Sequence, residues 1–244
     1  MSRTLVIGDI HGGFKALEQV LNRADVTKDD KLIFLGDYVD GWSETPDLLS
    51  YLIQLKEEQD CVFIRGNHDD LVLGWFRTAK SNPKWLEHGG ESTLKAYQNI
   101  NSILKDLHRL FLENLTNYYV DEKNRLFLHA GFANMHGPAS EFHSNTVYWD
   151  RTLWEMVLAM DTSIHPDDDF YPDRLKLFKE IYIGHTPTTR INKTEPVNLA
   201  NVWNIDTGAA FKGPISILDI DTKNYWQSDP VYKLYPNESG RNQN

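Results

Sequence analysis

A chain of 244 residues, 41% hydrophobic and 25% charged, is long enough to bury a full core as one domain. Its net charge of −10 and pI near 5.3 exclude a passive electrostatic grip on a nucleic-acid polymer or an anionic membrane, which needs clustered Lys and Arg. The single cysteine, Cys61, excludes an intramolecular disulfide, and no window approaches the roughly 18 apolar residues of a membrane span. With no signal-peptide core, the expected compartment is the cytoplasm. Any phosphate chemistry must then come from local charge, such as a bound metal.

In chain order, "RTLVIGD" (3–9) is an aliphatic strand pattern, and "FKALEQVLNRA" (14–24) places apolar residues at helical spacing. "KLIFLGD" (31–37) repeats the strand, and "TPDLLSYLIQLKEEQ" (45–59) reads as a helix with Thr45 as N-cap and Pro46 at its first position. "CVFIRGN" (61–67) gives a third strand, so the β-α-β-α-β order predicts neighbouring parallel strands with right-handed crossovers. Residues 69–118 read as mostly helical, broken by Pro83 and Gly89-Gly90. "RLFLHAG" (125–131) is a further strand, followed by an irregular stretch with helical patterns near 150–160 and 173–180. "IYIGHT" (181–186), "VWNIDTG" (202–208) and "ISILDID" (215–221) follow too closely for full helices between them and predict a largely antiparallel second sheet. The expected organisation is one domain over 1–236, with cap-like insertions near 70–118 and 132–180 and a frayed polar tail at 237–244.

Five of these strands end in a polar cluster: Asp9 and His11, then Asp37 and Asp40, then Asn67, His68 and Asp69, then His129, then His185. In α/β proteins ligands bind beyond the carboxyl ends of strands, so these groups are expected to converge. Oxygen and imidazole donors without thiolates suit borderline divalent metals such as Mn, Fe or Zn. Two ions about 3.5–4 Å apart could share one carboxylate and clamp a phosphoryl group.

"GDIHG" (8–12), "GDYVDG" (36–41), "RGNHD" (65–69), "HAG" (129–131) and "GHT" (184–186) resemble the ordered signature of the calcineurin-like metallophosphoesterase superfamily, and "NIDTGAAF" (204–211) extends the likeness. Within it the chain is most similar to the phosphoprotein phosphatase group, which includes bacterial and phage serine/threonine phosphatases and symmetrical diadenosine tetraphosphatases. The resemblance implies an αββα sandwich, an α/β fold of two mixed sheets flanked by helices, with a dinuclear site at the strand ends. Carried over by motif, Asp9 and His11 hold the first ion, Asp37 bridges, and Asn67, His129 and His185 hold the second. His68 is the implied general acid, with Asp40 accepting its other ring N–H, and a metal-bridging water is the implied nucleophile. Asp69 stands where the phosphatase motif usually has glutamate and is read as a structural variant, a helix N-cap.

One departure concerns substrate. The family motif commonly carries an arginine that binds the substrate phosphate, and here that position is Gly41, followed by Trp42. A replacement cation is suggested by "YWDRT" (148–152), which resembles a phosphatase segment whose arginine contacts phosphate, making Arg151 the candidate. Arg65 is assigned to structure rather than substrate. "WLEHGGESTLKAY" (85–97) resembles a Trp-Leu-x-x-Gly-Gly stretch of bacterial phosphatases that would shape the pocket rim through its glycines and His88. The implied function is a metal-dependent phosphomonoesterase of the serine/threonine protein phosphatase type, using two divalent ions, manganese first and iron or zinc next. The alternatives are a symmetrical dinucleoside tetraphosphate hydrolase and a metal-bound interaction module without catalysis. The expected partner is a phosphorylated protein or nucleotide; the residues leave oligomeric state open.

Overall fold

Each aliphatic run of the N-terminal half alternates its side chains between two layers, which is the basis of the architecture. The computed structural model describes residues 2–242. Strands β1 (Thr4–Ile7), β2 (Lys31–Phe34) and β3 (Cys61–Phe63) pair in parallel, joined by helices α1 (Phe14–Arg23) and α2 (Thr45–Glu58). Leu5, Ile7, Leu32 and Phe34 face these helices, whereas Val6, Ile33 and Leu35 face the other way, into an inter-sheet layer. Because both faces are covered, the strands read as continuous apolar runs.

The first sheet has the order β10-β9-β1-β2-β3 and the second β4-β5-β6-β8-β7. The second comprises β4 (Tyr118–Val120), β5 (Arg125–Leu128), β6 (Glu180–Ile183), β7 (Val197–Leu199) and β8 (Val202–Asn204). Phe127 of β5 and Tyr182 of β6 stack with centroids 4.9 Å apart and meet Val6, Ile33 and Leu218 between the sheets. Their neighbours Leu126, Leu128, Ile181 and Ile183 point outward against α7 (Thr152–Ala159) and α8 (Asp173–Lys176). The result is an α/β fold of two mixed sheets between helical layers.

Three expectations need correction. The second sheet is not largely antiparallel: β5, β6 and β8 run parallel, and antiparallel pairing is confined to its edges. The β6–β8 crossover is made by a 3-10 turn and the short edge strand β7, so it needs no full helix. The run 215–221 leaves this sheet altogether: β9 (Ser216–Asp219) pairs antiparallel with β1, and β10 (Tyr225–Gln227) follows it. Thirdly, α2 begins one residue earlier than predicted, with Glu44 at the cap and Thr45 inside the first turn.

The 70–118 segment also differs from a cap. Helices α3 (Asn67–Thr78), α4 (Pro83–Trp85) and α6 (Ser102–Glu113) feed Val72, Leu73, Trp85, Phe111 and Leu112 into the same core as α1 and α2, and Leu94 of α5 (Glu91–Ala96) packs against it. The tail is seated rather than frayed over 237–242, after α9 (Val231–Leu234): Glu238 accepts from Ser43 N at 3.0 Å and Oγ at 2.7 Å, and Arg241 N donates to Ala210 O at 2.8 Å. Residues 243–244 lie outside the described residues. Among the described residues no helix is long and apolar enough to cross a membrane.

Candidate active site

The parallel strands of both sheets deliver their carboxyl ends to one edge. Asp9 and His11 follow β1, Asp37 and Asp40 follow β2, Asn67 and His68 open α3 after β3, and His129 and His185 follow β5 and β6. All are buried except His185, which is half-buried. His11, Asp37, Asp40 and His185 have φ of 54°, 53°, 69° and 68°. Four non-glycine residues in the left-handed region within one cluster mark backbone bent to aim side chains inward, a strain that concentrates at functional sites. Gly36, with φ of 103°, brings the second and third turns together: a Cβ there would meet Gly66 N at 2.5 Å.

Asp37 sits at the centre. Its Oδ1 accepts His68 N–H at 2.9 Å, and its Oδ2 lies 3.5 Å from His11 Nε2 and 3.4 Å from His129 Nε2. On the far side, Asn67 Oδ1 is 2.9 Å from His185 Nδ1 and 3.1 Å from His129 Nε2. Asp9 Oδ2 is 3.7 Å from His11 Nε2, and the Asp9 carboxylate accepts His185 N–H at 3.2 Å. His11 Nδ1 and His129 Nδ1 face backbone oxygens of Val39 at 3.2 Å and Leu35 at 2.9 Å. Donating Nδ1–H to a carbonyl leaves each Nε2 lone pair turned into the cluster, the tautomer a metal ligand requires.

Two sets of ligand atoms lie within 4.8 Å of one another, His11–Asp37–His68 and Asp37–His129–His185, and Asp37 belongs to both. The electrostatics favour cations. Burial, reinforced by Asp37, pushes Asp9 up to about 7; burial, reinforced by Asp9, pushes Asp206 up to about 8. Burial also opposes ionisation of Asp37, but His129, His68 and His11 outweigh it and hold this carboxyl well below the ordinary range. His129 rises to about 10 because Asp37 more than offsets its burial, whereas burial drives His11 down to about 3 and His185 well down. Crowded carboxylates and imidazoles, with no thiolate, form a donor set that fits two borderline divalent ions.

His68 has a carboxylate partner of its own. Its Nδ1 lies 2.7 Å from Asp40 Oδ2, which also accepts Trp85 Nε1–H at 2.7 Å, while Thr93 Oγ1 donates to Asp40 Oδ1 at 2.7 Å. The stretch 85–97 therefore acts through Trp85 and Thr93, and of its two expected rim features His88 does line the outer cleft. Asp69, expected as an N-cap, is the third residue of α3; its carboxylate accepts from Gly66, Asp37 and Tyr38 N–H at 2.8–2.9 Å and fixes the turns that carry the ligands. Burial and Asp37 push it up to about 7.

Arg151 Nε donates to His185 Nε2 at 3.2 Å, so the candidate phosphate-binding guanidinium does stand over the cluster. Arg65 donates to the carbonyls of Glu113 and Leu115 and is structural. The sequence reading missed Arg190, Asp206, Phe211 and Arg241, which line the same small cavity as His11, Asp37 and His68. Asp206 had a usable signal, since it follows β8 in the pattern of the other strand-end acids. A cleft of about 530 Å³ opens outward from this cavity between Arg151, Arg190, Lys212 and Arg241.

Residues 2–209 match a family described as calcineurin-like phosphoesterase. The chain is 26% identical over 232 residues to a bis(5'-nucleosyl)-tetraphosphatase PrpE, asymmetrical, of Bacillus mycoides, covering 86% of this chain and 87% of that protein. It is 28% identical over 221 residues to serine/threonine-protein phosphatase 1 of Salmonella typhimurium, covering 88% and 90%. A protein serine/threonine phosphatase from Saccharomyces cerevisiae superposes with a TM-score of 0.58 at 15% identity, covering 90% of this chain and 73% of that one.

Proposed function

The chain belongs to the calcineurin-like phosphoesterase family, and from that premise we propose that it hydrolyses phosphomonoesters in the manner of a serine/threonine protein phosphatase. The observation that carries this reading is the His68–Asp40 pair at 2.7 Å, set within the same buried cluster as the central carboxylate Asp37. Asp9, His11 and Asp37 would hold one divalent ion and Asp37, Asn67, His129 and His185 the other, with manganese as the first choice. When bound, such a pair supplies a nucleophilic water and positive charge for phosphoryl transfer.

The chain's own groups do the rest. Asp40 accepts Nδ1–H, which fixes the His68 ring so that Nε2 can hand a proton to the departing alkoxide. Trp85 and Thr93 keep the Asp40 carboxylate oriented. Arg151 binds phosphoryl oxygens in a cavity with little room for bulk water, about 40 Å³. Retaining a buried, hydrogen-bonded His68–Asp40 pair argues against a non-catalytic interaction module, which has no use for one. We place the protein in the cytoplasm on its single cysteine.

A second reading, hydrolysis of a dinucleoside tetraphosphate, is favoured by the cleft beyond the cavity, where Arg151, Arg190, Lys212 and Arg241 could receive several phosphates in series. Assays of metal-restored protein on a phosphoserine peptide, p-nitrophenyl phosphate and diadenosine tetraphosphate separate the readings. Turnover of the peptide and the aryl phosphate supports the first. Turnover of the nucleotide alone replaces it with the second, and turnover of none returns the interaction module.

A further inference from the structure

Gly41 and Trp42 are where the chain departs from the motif it resembles, and both residues are built around the segment 238–241. Trp42 Nε1 donates to Ala209 O at 2.8 Å, and its ring stacks on Tyr235 with centroids 5.3 Å apart. Gly240, with φ of 60°, lies so close to the same ring that a Cβ there would meet Trp42 Cζ2 at 2.6 Å. Ser43, next along, holds Glu238 through both its amide and its hydroxyl. The backbone of Arg241 is then fixed by its bond to Ala210 O at 2.8 Å.

The side chain of Arg241 runs into the space position 41 leaves open. A Cβ on Gly41 would lie 3.7 Å from Arg241 Cγ, and one on Gly89 only 2.9 Å from it. From there the guanidinium carbon sits 5.3 Å from the Phe211 ring centroid, and the residue lines the cavity that holds His11, Asp37, His68 and Arg151. Among the described residues, carboxylate pairs take up Arg3, Arg23, Arg77, Arg109 and Arg125, whereas Arg241 is paired with no carboxylate. A planar guanidinium braced on an aromatic face loses little freedom when it grips an oxyanion.

We propose that Arg241 is a phosphate-binding residue of this site, supplying with Arg151 the guanidinium that the chain lacks at position 41. The assignment rests on the phosphoesterase reading and concerns a residue outside the 2–209 family match. It also explains why a tryptophan follows Gly41: the ring docks the segment that returns the missing charge.

The test uses the full chain, loaded with manganese, as wild type, Arg241→Ala and Arg241→Lys. Calorimetry with inorganic phosphate and steady-state kinetics on p-nitrophenyl phosphate are read side by side. Loss of a charge-assisted fork should weaken phosphate binding and raise KM by roughly 10- to 100-fold in Arg241→Ala, with kcat falling less and Arg241→Lys recovering part of the loss. Thermal midpoint and metal content should match wild type, which distinguishes lost binding from lost folding. Phosphate affinity and KM within twofold of wild type in Arg241→Ala would overturn the assignment. If wild type turns over none of the three substrates, the phosphoesterase reading fails separately; the calorimetric comparison then still decides whether Arg241 binds phosphate.

Discussion

His68 Nδ1 and Asp40 Oδ2 stand 2.7 Å apart, and the same carboxylate closes two further hydrogen bonds, from Trp85 and Thr93. A buried carboxylate so fully engaged holds the imidazole in one orientation beside the candidate metal ligands, which is the basis for the acid role proposed for His68. His68→Asn should lower kcat by about 10²–10⁴-fold, the usual contribution of general acid catalysis, with metal content unchanged. Asp40→Asn should cost less than His68→Asn, because the ring remains but loses the carboxylate that orients it. Turnover against pH for both variants checks the assignment: unchanged rates in either would remove the acid dyad.

Asp37 is shared by both groups of candidate ligands, so its loss should be felt by both ions. Asp37→Asn is expected to reduce bound manganese from two per chain to below one by elemental analysis. Stripping wild type with a chelator should lower its thermal midpoint, and adding manganese back should restore it. Binding to the native state alone stabilises by about 2.7 kcal/mol at a hundredfold excess over Kd. A midpoint indifferent to chelator and metal would contradict the placement of ions among these carboxylates.

Arg151 lines the same cavity as His68 and donates to His185 Nε2. Its removal should act on substrate binding: Arg151→Ala is expected to raise KM by roughly tenfold or more, as for loss of a charge-assisted hydrogen bond. The shape of the turnover–pH profile should be unchanged, since the His68–Asp40 pair is untouched. A change confined to kcat would instead assign Arg151 to the chemical step.

How much of this was legible in the sequence depended on whether the signal was local. Asp9, His11, Asp37, Asn67, His129 and His185 each end a strand, so a rule about strand ends finds them without knowing the sheet order. Sheet membership of 215–221 was not legible, because β9 closes on β1 across more than two hundred residues and nothing local distinguishes that from pairing with its neighbour β8. The role of Trp85 depends on a contact with Asp40, 45 residues away, through one indole N–H. Arg241 was hidden for the same reason: its relation to Gly41 is one of filled space, and a gap in a motif does not say which residue fills it.

A last prediction concerns stability away from the site. His108 is fully buried between α2 and α5, with Tyr97 Oη 2.6 Å from Nδ1 and Ser50 Oγ 3.0 Å from Nε2. Ser50 already donates to Pro46 O, so the consistent arrangement has Nε2–H donating to Ser50 and Nδ1 accepting from Tyr97. That chain requires a neutral ring, and burial pushes His108 down to about 4. The unfolded chain, titrating near the usual histidine value of about 6.5, therefore binds the extra proton first as pH falls. The His108 contribution is complete above that value and is lost progressively as pH drops from about 6.5 towards 4. Urea midpoints at pH 7.5 and 5.0 should diverge more for wild type than for His108→Gln, whose side chain keeps a donor and an acceptor but does not titrate. Equal pH slopes for the two proteins would show that the fold does not oppose protonation of the ring.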